Sequence, residues 1–495
     1  MYFLGLDIGS SFIKVSVFDA ENSRTVLTET LPGNEMKIIA HQKNWAEQHP
    51  EKWWEITQAI VKKITSKDKT YKNKIRAIGI TYQMHGLVAF DKNINPVRPS
   101  IIWCDSRASD YGQLAFNKLG NDFCLSHLHN SPGNFTASKL KWIKENEAET
   151  FKKIFKIMLP GDYIAAKLTG EIRTTISGLS EGIFWDFKEG KISDELLEYY
   201  GFDRSILPEV CPTFGEQGNL KSDIAAELGL KAGIPVTYRA GDQPNNAFSL
   251  NVLKKGELAA NAGTSGVLYA ISEDLNYDPK SRVNSFAHVN YSLEKPTTGI
   301  LMCINGTGIA NAWIKNNCNS SKYSYDEMNQ HASKVKPSSD GIQFIPFGNG
   351  TERILENKTA GCSIHGLSFN IHNENHMFRA VQEGIACSFN YGYDILKEIG
   401  VIPETIKASR ANLFQSEVFC EILASMTGSK IELYNTDSAS GAAKGAALGL
   451  GYYKSLQDCN NALEKIKEYH PDKELQEEYS AHYKDWKRIL LRELK

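Results

Sequence analysis

A strand–turn–strand pattern occurs twice in this chain, half a chain apart, and that repetition limits the fold more than any other feature. In the first copy, Tyr2-Phe-Leu-Gly-Leu-Asp-Ile leads into Gly9-Ser-Ser and then Phe12-Ile-Lys-Val-Ser-Val-Phe. In the second, Gly256-Glu-Leu-Ala-Ala-Asn-Ala leads into Gly263-Thr-Ser and then Gly266-Val-Leu-Tyr-Ala-Ile. Each reads as two β-rich arms joined by three residues of glycine and hydroxyl side chains. Such a turn can aim several backbone N–H groups at one spot, which suits an anion such as phosphate. Either copy alone is equally an ordinary hairpin of an α/β protein. The ordered pair points to a duplicated fold that holds a nucleotide phosphate tail between its halves. The copies differ at one place, since Asp7 in the first is matched by Asn261 in the second. A pair with one carboxylate suits a Mg²⁺ on one side and bare phosphate oxygens on the other.

At 495 residues the chain is too long for one core, and roughly two to four domains are expected. A hydrophobic fraction of 41% and a charged fraction of 23% are ordinary for a soluble globular protein. The formal charge of -2, without any block of like charge, gives no reason to expect nucleic acid or a membrane as partner. The nine cysteines are scattered and odd in number, and none stands in a C-x-x-C pair. That argues for reduced thiols in a cytoplasmic protein and against a disulfide framework or a zinc site. Met1 runs directly into a strand without a basic leader, so no signal peptide is expected. No apolar run approaches the roughly 20 residues that cross a bilayer.

Between the hairpins the first half alternates strands and helices. Pro50 introduces a helix from Glu51, and further helices are expected around Ser138 to Glu145 and Asp162 to Leu168. Strands are expected at 75–81, 87–91 and 234–240. Met377 to Gly400 reads as a long helix stopped before Pro403, and Ser416 to Gly428 as a shorter one ending on glycine. Ser440-Gly-Ala-Ala-Lys-Gly-Ala-Ala-Leu-Gly-Leu-Gly is a small-residue helix fit for close packing against another backbone or a flat ligand. The tail from Lys473 to Lys495 reads as a charged amphipathic surface helix. The duplication alone places the division near residue 250.

Three groups of residues carry candidate chemistry. Gly241-Asp242-Gln243 ends a strand just ahead of the second hairpin, where a carboxylate can take the proton of a substrate hydroxyl that attacks a held phosphate. An isolated Gly-Asp is ordinarily a turn, and its place between strand and hairpin is what marks this one. Gln83-Met84-His85-Gly86 offers an amide and an imidazole at a strand end, suited to several hydroxyls of a polyol or to a structural role. Trp103 and Asp105, with Arg107, follow another short apolar strand. Trp45, Trp53 and Trp54 read as core, and His127, His129, His372 and His376 form no metal-ligand grouping.

Taken in order, several segments resemble the FGGY family of carbohydrate kinases within the actin-like ATPase superfamily. They are Asp7-Ile-Gly-Ser-Ser, Trp45-Ala-Glu-Gln-His-Pro-Glu-Lys-Trp-Trp, Gln83-Met-His-Gly, Trp103-Cys-Asp-Ser-Arg, Thr136-Ala-Ser-Lys-Leu-Lys-Trp-Ile, Gly241-Asp-Gln and Ala262-Gly-Thr-Ser-Gly. Phe344-Ile-Pro-Phe, Gly350-Thr-Glu-Arg, Gly366-Leu and Arg379-Ala-Val-Gln-Glu-Gly resemble the second signature. The resemblance covers nearly the whole chain. It implies an α/β fold of two actin-like (ribonuclease H-like) ATPase domains flanking a central cleft. Residues 1–248 would bind sugar and carry the base, and residues 249–495 would bind the nucleotide.

By the same resemblance Asp242 is the catalytic base and Asp7 the carboxylate near Mg²⁺. Gly9, Ser10 and Ser11, with Lys14, and Gly263, Thr264 and Ser265 are the two ATP phosphate loops. Gly308, Asn412 and Gly441 border the nucleotide. Met84 and His85 match the pair found in members that phosphorylate D-xylulose, where glycerol kinases show Arg-Glu. Gln83, Trp103, Asp105 and Gln243 complete the substrate set. Lys407-Ala-Ser-Arg-Ala-Asn-Leu-Phe departs from the family, which has three glycines and an alanine there to line the adenine pocket. The implied activity is ATP-dependent phosphorylation of D-xylulose to its 5-phosphate. Ribulose, fuculose or gluconate are alternative acceptors, and an actin-like ATPase for assembly or a non-catalytic sugar sensor are alternative roles. The implied partners are a small sugar and ATP, in a cytoplasmic protein for which a homodimer is compatible.

Overall fold

The computed structural model describes residues 1–318, 323–351, 353–461 and 463–494. Glu352 of the Gly350-Thr-Glu-Arg segment and Lys495 of the tail lie outside the described residues. The chain forms two compact units. The first contains Met1–Asn251, Phe286–Thr298 and Thr436–Leu463, and the second Val252–Ser285, Gly299–Asn435 and Glu464–Lys495. A single cut at residue 248 does not capture the two later segments that belong to the first unit.

In the first unit a five-stranded sheet is built from β1 (Tyr2–Ile8), β2 (Ile13–Asp19), β3 (Arg24–Leu31), β4 (Ile75–Tyr82) and β5 (Val236–Gly241), in the order β5-β4-β1-β2-β3. β2 pairs antiparallel with β1 and β3, whereas β4 runs parallel to β1 and β5. The second unit has a seven-stranded sheet. Its five inner strands are β6 (Glu257–Ala262), β7 (Gly266–Ser272), β8 (Thr298–Ile304), β9 (Thr405–Ser409) and β10 (Lys430–Tyr434), in the order β8-β7-β6-β9-β10. Counted from the hairpin strand outward, the two orders are the same. The repeat visible in the two hairpins therefore extends to five strands of each unit.

Both sheets bury aliphatic side chains on two faces, which is why their central strands read as nearly continuous apolar runs. Leu4, Leu6, Val15, Val17, Ile78 and Ile80 pack with Trp53 and Ile60 of the helix Pro50–Lys67 in the first unit. Leu258, Leu268, Ile406 and Ile431 pack with Phe389 and Tyr393 of the helix Glu374–Glu398 in the second. The helix Glu417–Thr427 follows the rules read from its ends, with Ser416 accepting from the Phe419 N–H and Gly428 in the left-handed conformation. The expected strand at 87–91 shortens to Val88–Phe90. The helix Lys473–Glu493 is less solvated than a surface tail, because Tyr479, Trp486 and Leu490 are buried in the core of the second unit. Among the described residues no helix is long and apolar enough to cross a membrane.

The small-residue helix spans Ser438–Gly449 and lies across β1, β4 and β5. Its approach is closer than ordinary side chains allow. A Cβ on Gly5 of β1 would overlap the Ala439 carbonyl oxygen, and one on Gly79 of β4 would overlap that of Ala442. The Thr237 hydroxyl of β5 donates to the Ala446 carbonyl at 2.8 Å. Helix backbone thus rests directly on strand backbone, as the sequence of small residues anticipates. The clash partner at Gly79 is main chain and cannot swing aside, so Gly79→Ala should cost about 1–3 kcal/mol, the usual range for an overpacked core. Gly33→Ala meets no atom within 4 Å and serves as the control. Urea midpoints should fall for the first variant and stay level for the second. Equal midpoints would show that helix and sheet can separate without penalty.

Candidate active site

β5 ends at Gly241, and Asp242 opens the helix Asp242–Ser249 directly behind it. A carboxylate in the first turn of a helix faces unpaired N–H groups and the positive end of the helix dipole. Burial nevertheless dominates and raises the Asp242 pKa to about 6, while hydrogen bonds from the main chain and side chain of Gln243 pull it down. Gln243, expected as a substrate contact, is here also a partner of the base.

Asp7 belongs to β1 and stands opposite Lys14 of β2 in the antiparallel register. Its pKa is pushed up to about 7 by burial, which outweighs Lys14, and the charges of Asp242 and Asp437 raise it further. Asp437 was missing from the sequence reading. It caps the small-residue helix by accepting from the Ser440 N–H at 2.8 Å, and the packing of that helix brings it near Asp7. Three carboxylates and one lysine leave excess negative charge, which a divalent cation would offset. Among the described residues no group of three or more His, Cys, Asp or Glu is arranged to hold a metal ion by itself.

The strand end after β4 holds the next group. Gln83 is 3% exposed, and neither its amide nitrogen nor its amide oxygen has a hydrogen-bond partner among the described residues. A buried amide left unsatisfied costs about 1–3 kcal/mol, so its retention points to a ligand that completes it. His85 adopts φ 60, a left-handed conformation uncommon outside glycine. Its ring lies 4.7 Å from Phe135 and 5.1 Å from Phe286, and its Nδ1 meets the Glu181 carbonyl at 3.0 Å. The strained backbone is held by Lys139, whose buried ammonium donates to the carbonyls of His85 and Ile102, each at 2.9 Å. Burial lowers the Lys139 pKa to about 7. Phe135 and Lys139 flank or lie in the Thr136-Ala-Ser-Lys segment, which was matched as a pattern without a role for either residue.

Other expected contacts have structural duties. Met84 is 4% exposed and packs beneath Gly241, where a Cβ would stand 2.6 Å from its Cγ. Asp105 is fully buried, and its oxygens accept from Ala46 N at 2.6 Å and from the Arg107 guanidinium at 2.7 Å. Arg107 in turn stacks 3.7 Å from the Trp45 ring, so this carboxylate is a strut of the Trp45 loop. Trp103 is 54% exposed, and its indole N–H reaches the Ser10 hydroxyl at 3.2 Å.

The first turn, Gly9-Ser10-Ser11, is braced from below. Gln48 donates to the Ser10 carbonyl at 2.7 Å and accepts from the Trp53 indole at 3.0 Å. In the second turn the Gly263 carbonyl accepts from Gly308 N at 2.7 Å. The Asn412 amide nitrogen would stand 3.5 Å from a Cβ on Gly263. The structure therefore brings Gly263, Gly308 and Asn412 together within the second unit. Asn412 has φ 53, so this chain uses asparagine for a left-handed residue in the segment where its glycines are missing. The main-chain N–H groups of Ser10, Ser11, Thr264 and Ser265 have no main-chain acceptor among the described residues, which fits an anion cradle. Gly441 does not join the second-unit group. It is buried in the first unit, where a Cβ would come 2.6 Å from Ser249 Cβ.

Residues 2–249 match the N-terminal domain of the FGGY family of carbohydrate kinases, and residues 258–452 match its C-terminal domain. The chain is 27% identical over 452 residues to a xylulose kinase of Escherichia coli (strain K12), covering 90% of this chain and 88% of that one. A xylulose kinase from Rhodospirillum rubrum has the same fold, with a TM-score of 0.88 at 24% identity over 99% of this chain and 98% of that one. A gluconate kinase from Lactobacillus acidophilus also has it, with a TM-score of 0.88 at 22% identity over 99% and 97%. The architecture is thus that of sugar kinases with two actin-like α/β domains. The matched stretches contain both turns, the Gln83–His85 strand end and Asp242, and the chain belongs to the FGGY family of carbohydrate kinases.

Proposed function

We propose that this carbohydrate kinase transfers the γ-phosphoryl group of ATP to a ketopentose, D-xylulose, at its terminal 5-hydroxyl. The observation that carries the reading is Asp242, a desolvated carboxyl with pKa about 6 at a strand-to-helix junction, in the unit that also holds the unsatisfied amide of Gln83. A base of that strength is largely ionised near neutrality and still able to take a proton in the transition state. The relatives named xylulose kinase supply the choice of sugar. The fold does not, because a gluconate kinase shares it.

In this reading Asp242 receives the proton of the attacking hydroxyl, and Gln243 orients the carboxylate for it. Gln83 and His85 hydrogen-bond the sugar hydroxyls, with Trp103 beside them and Met84 supporting the floor. The free N–H groups of the two turns face phosphate oxygens, with Lys14, Gly308 and Asn412 nearby in their respective units. Mg²⁺, when bound, supplies positive charge against the phosphates, and Asp7 is the residue that would hold it. Such preorganised positioning accounts for most of the catalysis in phosphoryl transfer.

Asp242→Asn should lower turnover about 10²- to 10⁴-fold with sugar affinity kept, and near-normal turnover would remove Asp242 as base. Because only the ionised form accepts the proton, kcat/KM of the wild type should fall about tenfold per unit as pH drops below about 6. Thr264→Glu sets a negative charge at the second turn. At about 4 Å the repulsion is about 1 kcal/mol in water and about 4 kcal/mol at an effective dielectric near 20, so ATP affinity measured by calorimetry should drop at least about fivefold. Unchanged ATP binding would make that turn merely structural. In a panel of sugars D-xylulose should be preferred, and His85→Ala should weaken its use far more than ATP binding. A roughly tenfold preference for D-ribulose, L-fuculose or gluconate would reject the substrate while leaving the kinase reading intact. ATP turnover that ignores every sugar would reject both.

A further inference from the structure

Glu181 ends the short helix Ile176–Glu181 and is 1% exposed. Neither of its carboxyl oxygens makes a well-formed hydrogen bond among the described residues, although the Tyr82 hydroxyl faces the carboxyl. Leaving a buried carboxyl in that state is costly unless it is neutral or serves a neighbour. Its place is well defined. A Cβ built on Gly241 would stand 2.7 Å from Glu181 Oε2, so the carboxyl lies against the main chain of the residue before Asp242. The Glu181 carbonyl meanwhile receives His85 Nδ1 at 3.0 Å. One residue thus touches both arms of the site, His85 through its main chain and the Gly241–Asp242 junction through its side chain.

The groups that face this carboxyl are the Tyr82 hydroxyl, Asp242 and Asp162. The Tyr82 hydroxyl is also buried without a well-formed hydrogen bond. Asp162 is matched by Arg239 at 3.0 Å, which leaves that guanidinium committed elsewhere. Burial, with Asp242 and Asp162 adding like charge against the Tyr82 hydrogen bond, holds the Glu181 carboxyl well above the usual carboxylate range. Two neighbouring carboxyls in one desolvated region share their protons in sequence, the second being lost only at higher pH.

We propose that Glu181 is a positioning residue for Asp242, a carboxylic acid wedged behind the strand-to-helix junction that holds the base in place and must stay neutral for transfer to proceed. The proposal rests on the reading of Asp242 as the base. It assigns the proton-bearing form of Glu181 to the active protein and its ionised form to an inactive one, since a second negative charge beside Asp242 opposes the approach of the phosphate tail.

The test is the pH dependence of kcat/KM for the full chain, from about pH 5 to about pH 10, with the best sugar of the panel. The wild type should show an acid limb from Asp242 and an alkaline limb from Glu181. Glu181→Gln, neutral at every pH and equal in shape, should keep the acid limb, stay within about threefold of wild-type kcat near neutrality and lose the alkaline limb. Glu181→Leu, which suits an apolar site should the amide variant fail to fold, should also lose the alkaline limb while kcat drops at least about tenfold and KM for ATP holds. Limbs that superimpose on those of the wild type in an active variant would overturn the proposal alone. A wild-type protein inert toward every sugar at every pH would overturn it together with the base assignment.

Discussion

The helix Ser438–Gly449 rests on the first sheet only because β1 and β4 carry glycine where it crosses them. The site depends on that contact. The residue that caps the helix is Asp437, and seating the helix on the sheet brings this carboxylate toward Asp7, which also feels the charge of Asp242. A larger residue at Gly5 or Gly79 would act on the electrostatics of the site as much as on stability, because lifting the helix lifts one of the three charges. Packing and charge are here one constraint.

Those charges explain the uneven satisfaction of the site. Elsewhere buried ions are matched, as with Asp105 against Arg107 and Asp162 against Arg239. Around Asp242 they are not. Asp7 holds its proton up to about neutrality, Gln83 keeps both ends of its amide free, and Glu181 has no well-formed partner. Each omission costs stability in the unliganded protein, and in the proposed reading a cation would offset Asp7 and sugar hydroxyls would complete Gln83. The marginal stability of proteins lets such sites persist when a large core surrounds them.

Much of this was legible in the sequence because its determinants are local. Hairpin arms alternate or run apolar, turns declare themselves by glycine and hydroxyl residues, and Ser416 and Gly428 bracket a helix by their own backbone preferences. The Gly241-Asp242 junction could be placed because strand and helix meet at it. Asp437, Glu181 and Lys139 were not legible. Asp437 looks like any capping residue until a helix from far along the chain is laid on β1, and Glu181 is one acidic residue among many until Gly241 is found beside it. Asp105 and Met84 show the converse, since a motif named them and the structure gives them neighbours that use their polar or apolar atoms fully. Asn412 lay in the segment that had lost its glycines, and its left-handed backbone shows how one conformation can be supplied by another residue.

The first unit is finished by the segment 436–463, although its sheet begins at residue 2. During synthesis the strands β1, β4 and β5 leave the ribosome long before the helix that covers Gly5 and Gly79 exists. For most of translation the glycine-floored face of that sheet lacks this helix, and the second unit in turn waits for the segment 464–495, which brings Trp486 and Leu490 into its core. Neither half can therefore be finished in the order of the chain: the one that carries Asp242 closes only with the segment 436–463, and the other only with 464–495.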